Sequence, residues 1–131
     1  MSKNKARDEN VLKKFKVHQE ELKRGMALYK IKNKNDIRVL EHFVRRGMVQ
    51  EIGDIFELTR QLTEGTLNSI KFDRELIRSF RNSASHNYGV LKDEMVYAYL
   101  IYCTSSELLK SIEDKIKELN EYNRKNKVHS M

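Results

Sequence analysis

Arg81 and His86 lie five residues apart, and their side chains are the ones in this chain that could do chemistry together. Arginine carries a permanent, fork-shaped cation that binds phosphate, and histidine titrates near neutral pH and can move a proton. This pair suits metal-free cleavage of RNA. The 2′-hydroxyl attacks the adjacent phosphate, histidine acts as general base or acid, and arginine stabilises the developing negative charge. Asn82, Ser83 and Ser85 lie between the two and could add hydrogen bonds.

Helical geometry limits how this pair can meet. On an ideal helix, with about 100° per residue, Arg81 and His86 point roughly 140° apart. They converge on one phosphate if the helix unwinds near Gly89. They also converge if a two-fold dimer forms a shared cleft to which each protomer supplies both residues. The sequence leaves both arrangements open.

A polar stripe accompanies the pair. Arg74, Arg78, Arg81, Ser85 and Tyr88 fall within roughly an 80° arc of the predicted helix. The stripe is either a solvated surface with acidic neighbours or a surface that binds phosphates. The net charge of +7 favours a polyanionic partner such as RNA, DNA or an anionic membrane. RNA is the one that the cleavage chemistry of Arg81 and His86 suits.

The spacing of the segment is also unusual. By composition alone, this combination of Arg-Asn, a histidine and a following tyrosine has a chance of about one in a thousand. Arg81-Asn82-x3-His86-x-Tyr88 resembles the Arg-x4-6-His motif of the HEPN superfamily. More narrowly, it resembles the Arg-x4-His-x-Tyr form of HepT-like toxins and of the substrate-binding subunits that accompany minimal nucleotidyltransferases. The resemblance covers about residues 8–119 in architecture and is specific in residues 78–88.

The resemblance implies a helical bundle that dimerises through its motif helices and a metal-independent ribonuclease that acts as a toxin or in antiviral defence. It implies that Arg81 and His86 are the catalytic pair, that Asn82 supports them and that no cofactor is needed. It also implies that Tyr88 is a modification site to which a nucleotidyltransferase antitoxin adds AMP. An alternative is a non-catalytic subunit that binds a nucleotide or RNA for such a nucleotidyltransferase. A third hypothesis is a helical interaction protein with an accidental motif.

The elements that must position this segment are predicted to be helices. The chain has no proline and five glycines, and no strand-like alternation of apolar residues occurs. Apolar stripes with helical spacing include Leu40, Phe43 and Ile52 in the second helix. Asp36 and Asp73 are the predicted N-caps of the second and third helices. The expected fold is all-α, an up-and-down four-helix bundle with room for an extra short helix. The predicted helices cover residues 8–31, 37–62, 73–89 and 93–119.

One domain is expected over residues 1–131, with a core over about 8–119 and polar ends that fray. Neither a secretory leader nor an apolar run of about 20 residues occurs, so no membrane partner and a cytoplasmic location are expected. Cys103, on an apolar stripe, is predicted to be a small core residue. His18 and His42 are predicted to lie at the surface or its boundary, and no metal site is expected because no ligand spacing supports one.

Overall fold

The computed structural model describes residues 2–84 and 91–129. This part of the chain contains seven helices and no strand, which confirms the all-α prediction. Its helices are α1 (Ser2–Leu28), α2 (Lys34–Arg38), α3 (His42–Thr59), α4 (Glu64–Ser69), α5 (Arg74–Ala84), α6 (Asp93–Cys103) and α7 (Ser106–His129). None of these helices is both long enough and apolar enough to cross a membrane.

Two long helices, α1 and α7, run antiparallel along each other. Near the start of α1, the Glu9 carboxylate accepts a hydrogen bond of 2.9 Å from the Asn120 amide. Farther along, Lys16 Nζ lies 3.4 Å from a Glu113 carboxylate oxygen. The residue numbers rise on α1 while they fall on α7, so the two helices point in opposite directions.

The third long helix, α3, packs on another side of α1. Close packing occurs at Gly25, where an added Cβ would lie 3.1 Å from the Met48 Cε. At the opposite end of α1, the buried Asp8 carboxylate accepts a 3.1 Å hydrogen bond from the Thr63 N–H, just after α3. α1 and α3 are therefore also antiparallel, and α1 lies between α3 and α7.

The hydrophobic core draws residues from every helix, and its centre is aromatic. The Phe56 ring contacts Phe72, Phe80 and Tyr99 with centroid separations of 5.7, 4.9 and 5.6 Å. Phe15 of α1 packs edge-on against Phe72 at 5.8 Å. Such edge and tilted contacts contribute beyond the area they bury. They join α1, α3, α5 and α6 at one point. Cys103 is fully buried, as predicted, and burial raises the pKa of its thiol to about 12.

The predicted second helix is divided. α2 ends at Arg38 and α3 begins at His42. α2 packs on α6, whereas α3 packs on both α1 and α6. The prediction that Asp36 is the N-cap was wrong. Asn33 is the N-cap, and its Oδ1 accepts hydrogen bonds from the N–H groups of Asn35 (2.8 Å) and Asp36 (3.3 Å). Asp36 is the other half of a capping box, since its carboxylate accepts from the Asn33 N–H at 3.1 Å.

The predicted fourth helix is divided as well, between α6 and α7. The break leaves the Cys103 carbonyl to accept a buried hydrogen bond of 2.8 Å from Gln19 Nε2 on α1. Ser105 caps the next helix, because its Oγ accepts from the Leu108 N–H at 3.2 Å. Both new helix ends thus have partners for their polar groups.

A short helix, α4, lies where the sequence predicts an irregular connection. Thr63 is its N-cap, and Gly65 lies inside α4. Asp8 holds this helix against α1, because its Oδ2 accepts hydrogen bonds of 2.6 Å from the hydroxyls of both Thr63 and Thr66. By contrast, the Asp73 N-cap prediction is confirmed, with Oδ1 accepting from the Glu75 N–H at 2.9 Å.

Both ends of the described chain are helical. α1 begins at Ser2 and α7 continues to His129, and fraying of the polar ends stays a prediction. Polar contacts hold the two ends together: Lys5 Nζ lies 3.7 Å from the centroid of the Tyr122 ring, and Asn123 donates a 2.8 Å hydrogen bond to Glu9. The structured part of the chain therefore reaches beyond residues 8–119.

Candidate nucleic-acid interface

The candidate site is built on α5, a helix with two distinct faces. Ile77 and Phe80 are buried, while Arg74, Arg78 and Arg81 are exposed. This separation follows from the 3.6-residue period, which places the apolar and basic residues on different sides. The apolar spacing in the sequence predicts a core face of Leu76, Ile77, Phe80 and Ala84, and the burial of Ile77 and Phe80 is confirmed.

The C-terminal half of α5 is held firmly by its neighbours. Phe80 packs against Phe56 and Tyr99, with centroids 4.9 and 5.4 Å apart. Beside it, Ser79 Oγ and the Tyr99 hydroxyl are hydrogen-bonded at 3.0 Å. The backbone at Arg81 is therefore held against α3 and α6. The point from which the Arg81 side chain extends has a defined position.

Arg74, at the start of α5, is committed to contacts within the protein. Its Nη2 donates hydrogen bonds of 2.7 Å to Glu64 Oε2 and of 2.7 Å to Asn68 Oδ1, both on α4. The hydrogen bond and the attraction between the two charges raise the pKa of Arg74 and lower the pKa of Glu64. A phosphate would have to compete with this pair for the guanidinium.

Arg78 and Arg81 are more available. The Arg78 side chain is 71% exposed and has an ion pair of 3.5 Å with Glu75, one helical turn away. Within residues 2–84 and 91–129, Arg81 forms no ion pair, and its side chain is exposed. Asn82 is exposed next to it. Solvent-facing arginines on a fixed helix suit phosphate binding. Arg78 has only its exposed pair with Glu75 to give up, and Arg81 has no ion pair with the described residues.

The residues that follow the motif segment are fixed from α3 by Arg45. Its side chain is only 17% exposed, and it donates hydrogen bonds of 3.3 Å from Nε and 3.2 Å from Nη2 to Asp93 Oδ1. Nη2 also donates to the Leu91 carbonyl. Arg45 therefore anchors the chain at the start of α6. The anchoring role of Arg45 was not predicted, because no local spacing in the sequence connects Arg45 with an aspartate 48 positions later.

Three of the predicted site residues, Ser85, His86 and Tyr88, lie outside the described residues. The relation of Arg81 to His86, and that of Tyr88 to either, stays a prediction. The structure describes the chain on either side of these residues: α5 up to Ala84, and the chain from Leu91 onwards.

A second group of chemically competent side chains lies on α1 and α3. Among the residues that the structure describes, His18, Glu51 and Asp54 are the group that could hold a metal ion, with one ligand atom from each lying within 4.8 Å of the others. No metal site was predicted at these residues, because His18 and Glu51 are 33 residues apart and lie on different helices.

Comparisons of this chain with protein-family models, with curated proteins and with solved structures found no match.

Proposed function

We propose that this protein is a HEPN-type endoribonuclease that cleaves RNA without a metal ion and acts as a toxin or in antiviral defence in the cytoplasm. The observation that carries the proposal is Arg81, an exposed arginine on a firmly packed helix, at the start of the segment Arg81-Asn82-x3-His86-x-Tyr88. Supporting features are the all-α fold and the net charge of +7.

The fold that we propose is an up-and-down bundle of four helical rods. These are α1, then α2 with α3, then α5, then α6 with α7. The antiparallel pairing of α1 with α3 and α7 supports it. So do the contacts of α5 with α6: the Asp73 N–H donates to the Tyr102 hydroxyl at 2.8 Å, and Ser79 pairs with Tyr99 at 3.0 Å. Rising numbers on α5 meet falling numbers on α6, as alternating rods require.

In the proposed reaction, the RNA 2′-oxygen forms a bond to the adjacent phosphorus and the bond from phosphorus to the 5′-oxygen breaks. His86 takes the proton of the 2′-hydroxyl or supplies one to the leaving 5′-oxygen, and water makes the other of these two proton transfers. Arg81 binds the phosphate oxygens as their charge increases. The products are a 2′,3′-cyclic phosphate and a 5′-hydroxyl. Asn82, Ser85 and Arg78 bind the flanking RNA backbone, and Arg74 does so if it leaves Glu64.

We further propose that a homodimer brings the two groups together and that a nucleotidyltransferase antitoxin modifies Tyr88. In a two-fold dimer through the motif helices, each protomer supplies residues to a shared cleft. This arrangement overcomes the angle of roughly 140° that separates Arg81 and His86 on one ideal helix.

The first test is cleavage of labelled RNA by the purified chain and by Arg81→Ala and His86→Ala. Each substitution is expected to reduce the rate at least about a hundredfold, because each removes a group that acts on the reacting phosphate. Added chelator is expected to leave the rate of the unsubstituted protein unchanged, and product analysis should find cyclic phosphate ends.

Matched controls come from the same protein. Arg24, on α1, is 73% exposed and pairs with Glu21, one turn earlier on its own helix. His42 is exposed at the start of α3. Arg24→Ala and His42→Ala should cleave RNA at the original rate. Equal cleavage by all five proteins would overturn the ribonuclease assignment, and equal survival of cells that express them would remove the toxin role.

The same experiment separates cleavage from binding. If the chain binds RNA or a nucleotide through Arg81 but cleaves nothing, the alternative is supported: a non-catalytic subunit that serves a minimal nucleotidyltransferase. Binding is measured by fluorescence anisotropy with the same labelled RNA.

A further inference from the structure

The contact between α1 and α3 brings together an imidazole and two carboxylates. His18 Nδ1 lies 2.5 Å from Glu51 Oε2, across the interface between the two helices. Asp54 is three residues after Glu51 on α3, a spacing that places both carboxylates on one helix face. One donor atom from each of the three residues lies within 4.8 Å of the other two.

We propose that His18, Glu51 and Asp54 bind a divalent transition-metal ion of the zinc class and thereby join α1 to α3. Nitrogen and carboxylate oxygen atoms bind Zn²⁺ at about 2.0–2.2 Å, so ligand atoms on one ion are roughly 3–3.5 Å apart in a tetrahedral site. The His18–Glu51 distance of 2.5 Å is shorter than this range, and the three ligand atoms lie within 4.8 Å of one another. Binding of an ion therefore requires small side-chain rotations, for which the exposed Asp54 is free of the core.

The donor set selects the class of ion. A ring nitrogen with two carboxylate oxygens suits Zn²⁺, Co²⁺ or Ni²⁺, whereas Ca²⁺ and Mg²⁺ prefer oxygen ligands alone. Two carboxylates balance the charge of a divalent ion. His18 and Glu51 are partly buried, with side chains 27% and 35% exposed, so water can complete the coordination from the open side.

The packing of the helices fixes two of the three ligands before any ion binds. α1 and α3 approach closely at Gly25 and Met48, and Asp8 ties the other end of α1 to Thr63. The segment with His18 lies between these two contacts. A preformed site of this kind lowers the cost of ordering the ligands when an ion binds.

A simple hydrogen-bonded pair is the competing account of this cluster. His18 and Glu51 alone would form such a pair, and Asp54 would then have no part in it. Under the metal proposal Asp54 is a ligand, and its removal weakens binding. Asp54 is exposed, so Asp54→Asn tests the site without disturbing the core.

The experiment uses the full chain, stripped of metal with a chelator and then titrated with Zn²⁺ and, as a spectroscopic probe, with Co²⁺. We expect a rise in melting temperature with Zn²⁺ and visible absorption bands with Co²⁺. The His18 ring signals, among those of only four histidines, should shift in the NMR spectrum. Asp54→Asn and His18→Gln should each weaken Zn²⁺ binding by at least about tenfold.

Asp114→Asn and His42→Gln are the matched controls, since both residues are exposed and neither belongs to the cluster. They should bind Zn²⁺ with unchanged affinity. The proposal is overturned if the unsubstituted chain shows no Zn²⁺-dependent shift, or if the shift persists unchanged in Asp54→Asn and His18→Gln. Neither result bears on RNA cleavage, which is assigned to α5 and proceeds without a metal.

Discussion

Two arginines of the same stripe, Arg74 and Arg81, differ in what surrounds them. Arg74 holds Glu64 and Asn68 of α4, so its charge contributes to the attachment of α4 to α5. Arg81, about two helical turns farther along the same face, is exposed on backbone that Phe80 fixes. Identical side chains at helical spacing thus have a structural role at one end of α5 and face solvent at the other.

The buried carboxylate of Glu9 makes the stability of the folded protein depend on pH. Burial raises the pKa of Glu9, but hydrogen bonds from Asn120, Asn123 and Lys13 together outweigh it and lower the pKa to about 2. A folded-state pKa below the ordinary value of 4.5 means that the ionised carboxylate stabilises the folded protein. This contribution is complete above about pH 4.5 and is lost as the pH falls towards 2.

We therefore expect Glu9→Gln to reduce the free energy of unfolding by about 1–3 kcal/mol at pH 7. The difference from the unsubstituted protein should shrink as the pH falls below 4.5. Urea unfolding at a series of pH values measures it. Glu118→Gln, at an exposed glutamate, should differ from the original by less than about 0.5 kcal/mol. A Glu9→Gln difference that stays constant down to pH 2.5 would contradict the assignment.

At the residue scale, the sequence was sufficient to predict the two faces of α5. It was insufficient to predict which residues α5 contacts. The period of the helix predicted that Phe80 is buried and that the arginines are exposed. The Glu64–Arg74 pair was not predictable, because α4 was expected to be an irregular connection. The proximity of His18, Glu51 and Asp54 was not predicted for a related reason. Residues that come together from two different helices leave no spacing pattern in the chain.

At the scale of elements, the helices differ from their predicted bounds mainly by two breaks. The predicted apolar stripe ran through Leu40 and Phe43, but Phe43 is 75% exposed. The stripe was interpreted as one continuous face, whereas α2 packs on α6 and α3 packs on both α1 and α6. Similarly, nothing in the sequence near Ser105 indicates that Gln19 of α1 will take the freed carbonyl of Cys103. Periodicity predicts which segments are helical, and tertiary contacts decide where they are interrupted.

The capping box at the start of α2 gives the prediction that belongs to this scale. Asn33→Ala removes the acceptor for two backbone N–H groups, so it should lower the free energy of unfolding by about 1 kcal/mol. Asp36→Ala should have an effect of similar size, since the Asp36 carboxylate forms the other half of the capping box. Denaturant unfolding measures both.

Asn35→Ala is the control, because only its backbone N–H takes part in the cap. Its effect should be below about 0.5 kcal/mol. If Asn33→Ala were as mild as Asn35→Ala while Asp36→Ala remained costly, the original assignment of Asp36 as N-cap would be restored.

At the scale of the whole molecule, the proposed shared cleft predicts complementation. A mixture of Arg81→Ala and His86→Ala proteins, unfolded and refolded together, contains about half mixed dimers if the protomers associate at random. If the residues meet across the dimer, the shared cleft of each mixed dimer has one intact Arg81–His86 pair out of two. The mixture should then recover roughly a quarter of the original RNA cleavage rate.

A mixture that stays as inactive as its components would instead favour a cis arrangement, with Arg81 and His86 meeting within one chain. Each protein refolded alone is the control. Size measurement on the mixture confirms that dimers are present, and a protein that is monomeric throughout would contradict the shared cleft itself.

The pairing of α1 with α7 has a consequence for how the chain folds as it is made. Glu9 and its partners Asn120 and Asn123 are separated by 111 and 114 positions. Contacts so distant along the chain form late, since a long loop must close before they stabilise anything. The apolar face of α1 leaves the ribosome long before α7 exists to cover it. The nascent protein therefore depends on α3 for early protection from aggregation, and a synthesis that stops before α7 would leave that face uncovered.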